Sequence, residues 1–116
     1  MLHVSFAYTS PSYAAGVKTE TRRFWKASHA AKFKPGTLFM GVTKDFRAGG
    51  VIIHPAMVIS IEKQYLRDMR VASFKREGGT RHWASRKAYI EAMGGPDKCP
   101  YALRFEHRAG ETPCLK

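Results

Sequence analysis

Apolar and polar residues alternate near both ends of the chain. The alternation covers LHVSF (Leu2–Phe6) and YALRFEH (Tyr101–His107), and a period of two predicts strands that bury one face. Between them, FKPGTLFMGV (Phe33–Val42) predicts a Pro-Gly turn followed by a strand, and GVIIHPAMVISIEKQYL (Gly50–Leu66) predicts a long β-rich stretch. Pro55 cannot donate to a sheet ladder, so it predicts an edge, a bulge or a break between two strands.

Three further segments carry helical signals. SPSYAAG (Ser10–Gly16) offers a serine cap, a proline in the first turn and a final glycine. LRDMRVASFKREGG (Leu66–Gly79) has a narrow apolar side and a Gly-Gly stop. A second helix is predicted from Thr80, as N-cap, to Met93, before Gly-Gly-Pro. Strands with two or three interspersed helices predict the α+β class. Pairing of the first and last strands would close the sheet into a small barrel, which periodicity alone does not show.

One segment lacks any apolar periodicity. GVKTETRR (Gly16–Arg23) combines one lysine, two arginines, one glutamate and two threonines behind a glycine. We therefore expect neither a core strand nor a core helix here, and we expect its polar groups to face water, a ligand or each other. DFRAGG (Asp45–Gly50) predicts a turn.

Length and charge limit the class of protein. The 116 residues fit one domain, which we expect to span 1–109 and to be followed by a fraying tail, 110–116. Lys and Arg exceed Asp and Glu by +11, and the excess is spread over both halves of the chain. Such a field attracts polyanions, and nucleic acid is the commonest of them. The alternative is a soluble protein that is merely basic.

Other classes have little support. Cys99 and Cys114 lie far apart, outside any metal-ligand spacing, and the five histidines lack H-E-x-x-H or C-x-x-C surroundings. No leader pattern or long apolar run is present. We therefore expect a cytoplasmic protein with reduced thiols, no cofactor, no metal and no membrane partner. The oligomeric state stays open at this point.

The spacing G-x-K-x-x-T-x-R, carried by Gly16, Lys18, Thr21 and Arg23, resembles the signature of the ASCH domains. These are small members of the PUA-like β-barrel group. Other segments are similar to the bacterial and phage branch of that family, in the same order: LHVSFAYTSPSY, GVKTETRRFW, FKPGTLF, KREGG and YALRFEH. The sequence departs from the family where Gly79 stands in place of the usual aromatic residue and where KASHAAKFKPG lengthens the loop after the signature.

The resemblance implies a small β-barrel with a cleft beside the signature. Members bind RNA, DNA or nucleotides, and one bacterial branch hydrolyses N(4)-acetylcytidine with a lysine, a threonine and a glutamate. Carried over by position, those residues are Lys18, Thr21 and Glu77. The resemblance thus implies either a nucleic-acid or base-binding module or an N(4)-acylcytosine amidohydrolase. A metal-independent ribonuclease is a third, less supported alternative.

The chemistry of the three residues is consistent with catalysis. A threonine hydroxyl needs an adjacent base, and a lysine acts as one when burial or cationic neighbours lower its pKa. A carboxylate such as Glu77 would move protons or hold the lysine in place. Residues three apart in a strand point to opposite faces, so the hypothesis requires a non-extended backbone between Lys18 and Thr21.

The binding-only interpretation assigns the same region differently. Lys18, Arg22 and Arg23 would contact phosphate, Thr21 would brace a turn, and Glu77 would pair with a basic neighbour. Among the aromatic residues, Trp25 lies amid charges directly after the signature and is the favoured candidate for stacking on a base. Ligand binding is therefore predicted for Arg22, Arg23 and Trp25.

Overall fold

The computed structural model describes residues 2–44 and 49–110. Its five strands form one curled sheet: β1 (Leu2–Ser5), β2 (Glu20–Arg23), β3 (Leu38–Val42), β4 (Ile52–Lys63) and β5 (Tyr101–His107). Its four short helices are α1 (Ser10–Ala14), α2 (Ala27–Ala30), α3 (Val71–Arg76) and α4 (Arg86–Ala92). The α+β class is confirmed, and α2 is a helix that the sequence analysis did not predict.

The strand order is β1-β3-β4-β5-β2, so the sheet is a half-barrel with β1 and β2 at its edges. β1 runs parallel to β3, and the other pairs are antiparallel. The pairing of the first and last strands, which periodicity left open, does not occur, because β3 and β4 lie between them. The Arg23 side chain spans the gap between the two edges and donates from Nη2 to the Ser5 carbonyl at 2.8 Å.

The predicted strands match the sheet closely. β5 has the predicted bounds, β1 ends one residue early, and β4 continues unbroken through Pro55. Pro55 pairs with Met40 of β3, while its carbonyl accepts a hydrogen bond from the Arg108 N–H on the β5 side. Since β5 has ended at that point, the missing N–H of proline costs no ladder bond. Most of the predicted turn at Asp45–Gly50 lies outside the described residues.

The single helix predicted over 66–79 is wrong. A 3₁₀ turn occupies Leu66–Asp68, the backbone is extended at Met69 and Arg70, and only Val71–Arg76 is α-helical. The cause is tertiary: a continuous helix would give the carbonyls of Arg67 and Met69 to the N–H groups of residues 71 and 73, but here the Arg86 side chain donates to both. Bonds to a side chain of α4 thus take the place of helical bonds that the local sequence allows.

The helix predicted from Thr80 begins later. Thr80 lies in a 3₁₀ turn, and α4 starts after Ser85, whose Oγ accepts a hydrogen bond from the Ala88 N–H at 3.1 Å. Gly78, at φ +120°, sets the direction of the chain before that turn, and a Cβ added there would lie 2.7 Å from His82 Cδ2. Ser85 is therefore the N-cap, because its side chain reaches the free amide of the first turn.

Two apolar clusters form the interior. The larger is enclosed by the sheet and consists of Val4, Phe6, Tyr13, Phe33, Phe39, Ala56, Val58, Leu103 and Phe105. The smaller lies under the helices and consists of Leu66, Met69, Phe74, Tyr89 and Ile90. Of the helices formed by the described residues, none is long and apolar enough to cross a membrane.

Candidate active site

The polar segment Gly16–Arg23 ends in a buried strand. Glu20, Thr21 and Arg22 of β2 are all buried, so the expectation that this segment forms no core strand is wrong. The alternative left open, that its polar groups face each other, accounts for the burial. Charged side chains enter a protein interior when they are paired and hydrogen-bonded.

Lys18 precedes β2 and is fixed through its backbone. Its N–H and that of Val17 donate to the Ser12 carbonyl, and the Thr19 N–H donates to the Arg76 carbonyl at 2.8 Å. The Phe105 N–H donates to the Thr19 carbonyl at 3.0 Å. These contacts anchor the segment to α1, to the end of α3 and to β5. Because β2 begins only at Glu20, Lys18 is free of the strand alternation that governs Thr21.

Glu77, directly after α3, accepts from two cations. Lys18 Nζ lies 2.9 Å from its Oε1, and Arg22 Nη1 lies 2.9 Å from its Oε2. Lys18 Nζ also donates to the Glu77 backbone carbonyl at 2.8 Å. Lys18 and Glu77 are each only 1% exposed. The two residues are therefore a buried, fully desolvated pair, 59 positions apart in the chain.

A second carboxylate completes the ion cluster. Glu20 Oε2 accepts from Arg22 Nη1 at 2.6 Å, and Glu20 Oε1 accepts from Arg76 Nε at 3.1 Å. Two carboxylates are thus matched by two guanidiniums, and a protonated Lys18 would be a surplus cation. Burial lowers the pKa of Lys18, the Glu77 carboxylate opposes that shift, and nearby Arg23 and Arg22 reinforce it. Although burial acts against it, the pKa of Arg22 is raised because both glutamates stabilise its charge.

These residues border a cavity of about 210 Å³ between the two apolar clusters. Its polar lining comprises Thr9, Lys18, Thr21, Arg22, Arg23 and Glu77, and its aromatic lining comprises Phe6, Tyr8, Trp83 and Tyr89. The three proposed catalytic residues therefore converge on one cavity. No other described residue forms a hydrogen bond with the Thr21 hydroxyl. That leaves the hydroxyl available to a ligand.

The structure separates the three predicted ligand-binding residues. Arg23 lines the cavity, and its Nη2 is used by the Ser5 carbonyl. Arg22 also reaches the cavity, but its terminal nitrogens bond to Glu20, Glu77 and Gln64. Trp25 is not among the residues that line it; its ring stacks on Phe33 at 4.4 Å and packs against the larger apolar cluster.

Sequence analysis missed Glu20 and Tyr89. Glu20 stands two residues from Arg22, so a strand would place both side chains on one face. That signal was not used, because no strand was expected in this segment. Tyr89 lies on α4, where an aromatic residue on an apolar helix face has no local mark of function. Burial raises the pKa of its hydroxyl, and the nearby Glu77 carboxylate adds to the shift.

Two histidines support Lys18 from the sheet. His54 Nε2 lies 2.7 Å from His107 Nδ1, and His107 Nε2 lies 2.6 Å from the Lys18 carbonyl oxygen. A carbonyl only accepts, so His107 carries its proton on Nε2, and when it is neutral its Nδ1 accepts from His54. Burial lowers the pKa of both rings. In the part of the chain that the structure describes, no group of His, Cys, Asp and Glu could hold a metal ion.

Comparison with known proteins supports the fold. No protein-family model matches this chain, and no curated protein matches it. The crystal structure of protein EF3133 from Enterococcus faecalis V583, described with the family model DUF984, is similar: the TM-score is 0.60 and the identity 14%, over 88% of this chain and 71% of that one. At that identity the similarity concerns the fold alone.

Proposed function

We propose that this protein is an amidohydrolase that cleaves the acyl group from an N(4)-acylated cytosine base or nucleoside. The proposal combines the ASCH-like signature with one observation: Lys18, Thr21 and Glu77 border one cavity, and the first and last are in direct contact at 2.9 Å. A buried lysine and a threonine hydroxyl without a hydrogen-bond partner among the described residues line the same cavity. A binding module has no evident need for that combination, whereas a nucleophile and its base require it.

The hydrogen bonds of Lys18 fit a neutral amine. Such an amine has two N–H groups and one lone pair, and the Glu77 carbonyl and Oε1 accept two N–H bonds. The lone pair is then left for a proton from a neighbouring hydroxyl. The charge count agrees, because Arg22 and Arg76 already balance Glu20 and Glu77. Glu77 in this scheme orients the lysine.

The reaction balances with these groups and water. Thr21 Oγ attacks the acyl carbonyl carbon while its proton moves to Lys18 Nζ. The tetrahedral intermediate collapses, the carbon–nitrogen bond breaks, and the departing amino group takes the proton from Lys18. Water then hydrolyses the threonyl ester with Lys18 again accepting a proton, which releases a carboxylic acid and restores the free hydroxyl.

The size of the cavity favours a small substrate. At about 210 Å³, it is smaller than the roughly 300–1,000 Å³ that encloses drug-sized ligands. One acyl group and part of one ring fit this scale better than a folded polymer. A nucleoside, or a single nucleotide of a longer strand, is therefore the proposed substrate.

Turnover of N(4)-acetylcytidine to cytidine tests the proposal. Thr21→Val keeps the shape of the side chain and removes the nucleophile, and Lys18→Met removes the base, so each should lower kcat/KM by at least about 100-fold. Thr19→Val is the matched control, because Thr19 adjoins the same strand but does not line the cavity. Full activity in Thr21→Val, or no turnover of any acyl-cytosine by the wild-type protein, would refute the proposal.

The net charge of +11 favours a second candidate, a reader of nucleic acid that uses the same cavity without chemistry. Binding to a short single-stranded oligonucleotide should then weaken steeply as salt rises, since bound counterions are released. A salt-independent affinity, or no binding at low salt, would exclude this candidate.

A further inference from the structure

Tyr8 is an exposed aromatic residue whose position is nevertheless fixed. Its side chain is 66% exposed and lies at the cavity that contains Lys18 and Thr21. Its hydroxyl donates to the His82 carbonyl at 2.8 Å, across 74 positions of the chain. Exposed tyrosines without a role usually keep their rotameric freedom, because holding one in place costs side-chain entropy.

The backbone beside Tyr8 is strained. Ala7, at φ +40°, is the one non-glycine residue with positive φ in the described chain, and it also lines the cavity. Strained residues persist where the surrounding structure holds them, and they cluster at ligand sites. The strained residue, Ala7, directly precedes Tyr8, so its backbone conformation sets the direction of the Tyr8 side chain.

No aromatic ring of the described residues lies flat on Tyr8. Its aromatic neighbours His82 and Trp83 meet it at interplanar angles of 63° and 69°, and at 66% exposure much of its ring is accessible. Trp25 differs, because Phe33 stacks on its face at an angle of 19°. Trp25 is close to the polar segment in sequence, and Tyr8 is close to it in space. Of these two residues, only Tyr8 offers a ring surface to a planar ligand at the cavity.

From this geometry we infer that Tyr8 is a specificity residue of the proposed hydrolase: it stacks on the planar ring of the substrate while the acyl group enters the cavity. The substrate class is then a flat heterocyclic amide, and an aliphatic amide with the same acyl group is a poorer substrate, because it cannot stack on Tyr8. The inference rests on the proposed function for the reaction, and on Tyr8 and Ala7 for the selectivity. Stacking tolerates different bases, because every base has a π-face.

Steady-state kinetics on two substrates test the inference. With N(4)-acetylcytidine, Tyr8→Leu should raise KM about 5- to 100-fold, the range expected for loss of one base–aromatic stack. Its kcat should change little, because the ring is bound equally in ground and transition states. With an N-acetylated alkylamine, Tyr8→Leu and wild type should perform alike. Tyr8→Trp should restore the low KM, and Tyr8→Phe should retain most of it, since only the hydroxyl bond to His82 is lost.

The matched control is Phe24→Leu. Phe24 is another exposed aromatic residue, 56% accessible, and it does not line the cavity. Its loss should leave KM for both substrates unchanged. An unchanged KM for N(4)-acetylcytidine in Tyr8→Leu overturns the inference, as does an equal rise for both substrates.

A binding measurement separates this inference from the proposed function. Trp83 lines the cavity and Trp25 does not, so in a Trp25→Phe background cytidine should quench the remaining fluorescence, and Tyr8→Leu should weaken that binding about 5- to 100-fold. If no acyl-cytosine is hydrolysed but this pattern holds, the proposed reaction fails and the stacking role stands. If cytidine gives no quenching up to millimolar concentration and no substrate turns over, both fail.

Discussion

Two regions of this protein are equally buried, but one consists of apolar side chains and the other of charged side chains. Phe39, in the larger apolar cluster, is 0% exposed, and Glu77, in the ion cluster, is 1% exposed. The apolar cluster gains stability from each buried surface, and the gain does not depend on pH. The ion cluster gains only while every charge has its partner, because each desolvated ion costs several kcal/mol alone. Burial therefore stabilises the first region, whereas in the second it lowers the pKa of Lys18, as the proposed general base requires.

Removing the shared partner should be the most damaging change to the ion cluster. Glu77→Ala leaves Arg22 and Lys18 without their common carboxylate, and breaking a buried pair in this way costs about 3–5 kcal/mol. Urea denaturation should show a loss similar to that of Phe39→Ala, for which about 3–5 kcal/mol is expected from the cavity.

A second substitution distinguishes the two losses. Adding Lys18→Met to Glu77→Ala removes a buried amine that has lost its carboxylate partner and should recover at least about 1 kcal/mol. The same change added to Phe39→Ala should recover nothing. A Glu77→Ala protein within about 1 kcal/mol of wild type would mean that the cluster does not hold the buried charges described above.

Acid should weaken the histidine support of Lys18, which also contacts the larger apolar cluster through the stack of His54 on Tyr13. Burial lowers the pKa of His54 and His107, so between the folded pKa values and the unfolded value of about 6.5 the unfolded chain binds more protons. Their stabilising contribution is fully present above about pH 6.5 and is lost as pH falls through the lower folded pKa values. Thermal unfolding from pH 8 to 5 should show this decline, and His107→Gln should flatten it.

The control for that series is His3→Gln, at an exposed histidine of β1. It should keep the wild-type decline. An identical pH profile in wild type and His107→Gln would show that the pKa values of the histidine pair do not differ between the folded and unfolded states.

The smallest expected effect on stability belongs to the proposed general base. A protonated Lys18 would be a surplus cation, so the pairing of the cluster does not need its charge, and Lys18→Met should leave the free energy of unfolding within about 1 kcal/mol of wild type, or raise it. The apolar cluster offers no equivalent, since each truncation there is a loss. A loss above about 3 kcal/mol in Lys18→Met would indicate that Lys18 is charged and required for the pairing.

The same division explains which predictions were confirmed. The α+β class and strands β1 and β5 followed from alternation, because one face of each meets the apolar interior. The helix expected over 66–79 was wrong, since the Arg67 and Met69 carbonyls accept hydrogen bonds from the Arg86 side chain of α4. The polar segment was expected to avoid the core, because an apolar pattern predicts only burial against apolar groups. It gives no sign of burial against groups of opposite charge.

The sequence by itself determined the identities of the proposed site residues Lys18, Thr21 and Glu77 and predicted strands β1 and β5, because these depend on residue chemistry and local pattern. Only the tertiary structure decided that Glu77 meets Lys18, that Glu20 and Arg76 complete the charge balance, and that Trp25 packs away from the cavity while Tyr8 faces it. Those contacts join residues far apart in the chain. Their partners are chosen by packing and by the cost of leaving a buried charge unpaired, which no local pattern records.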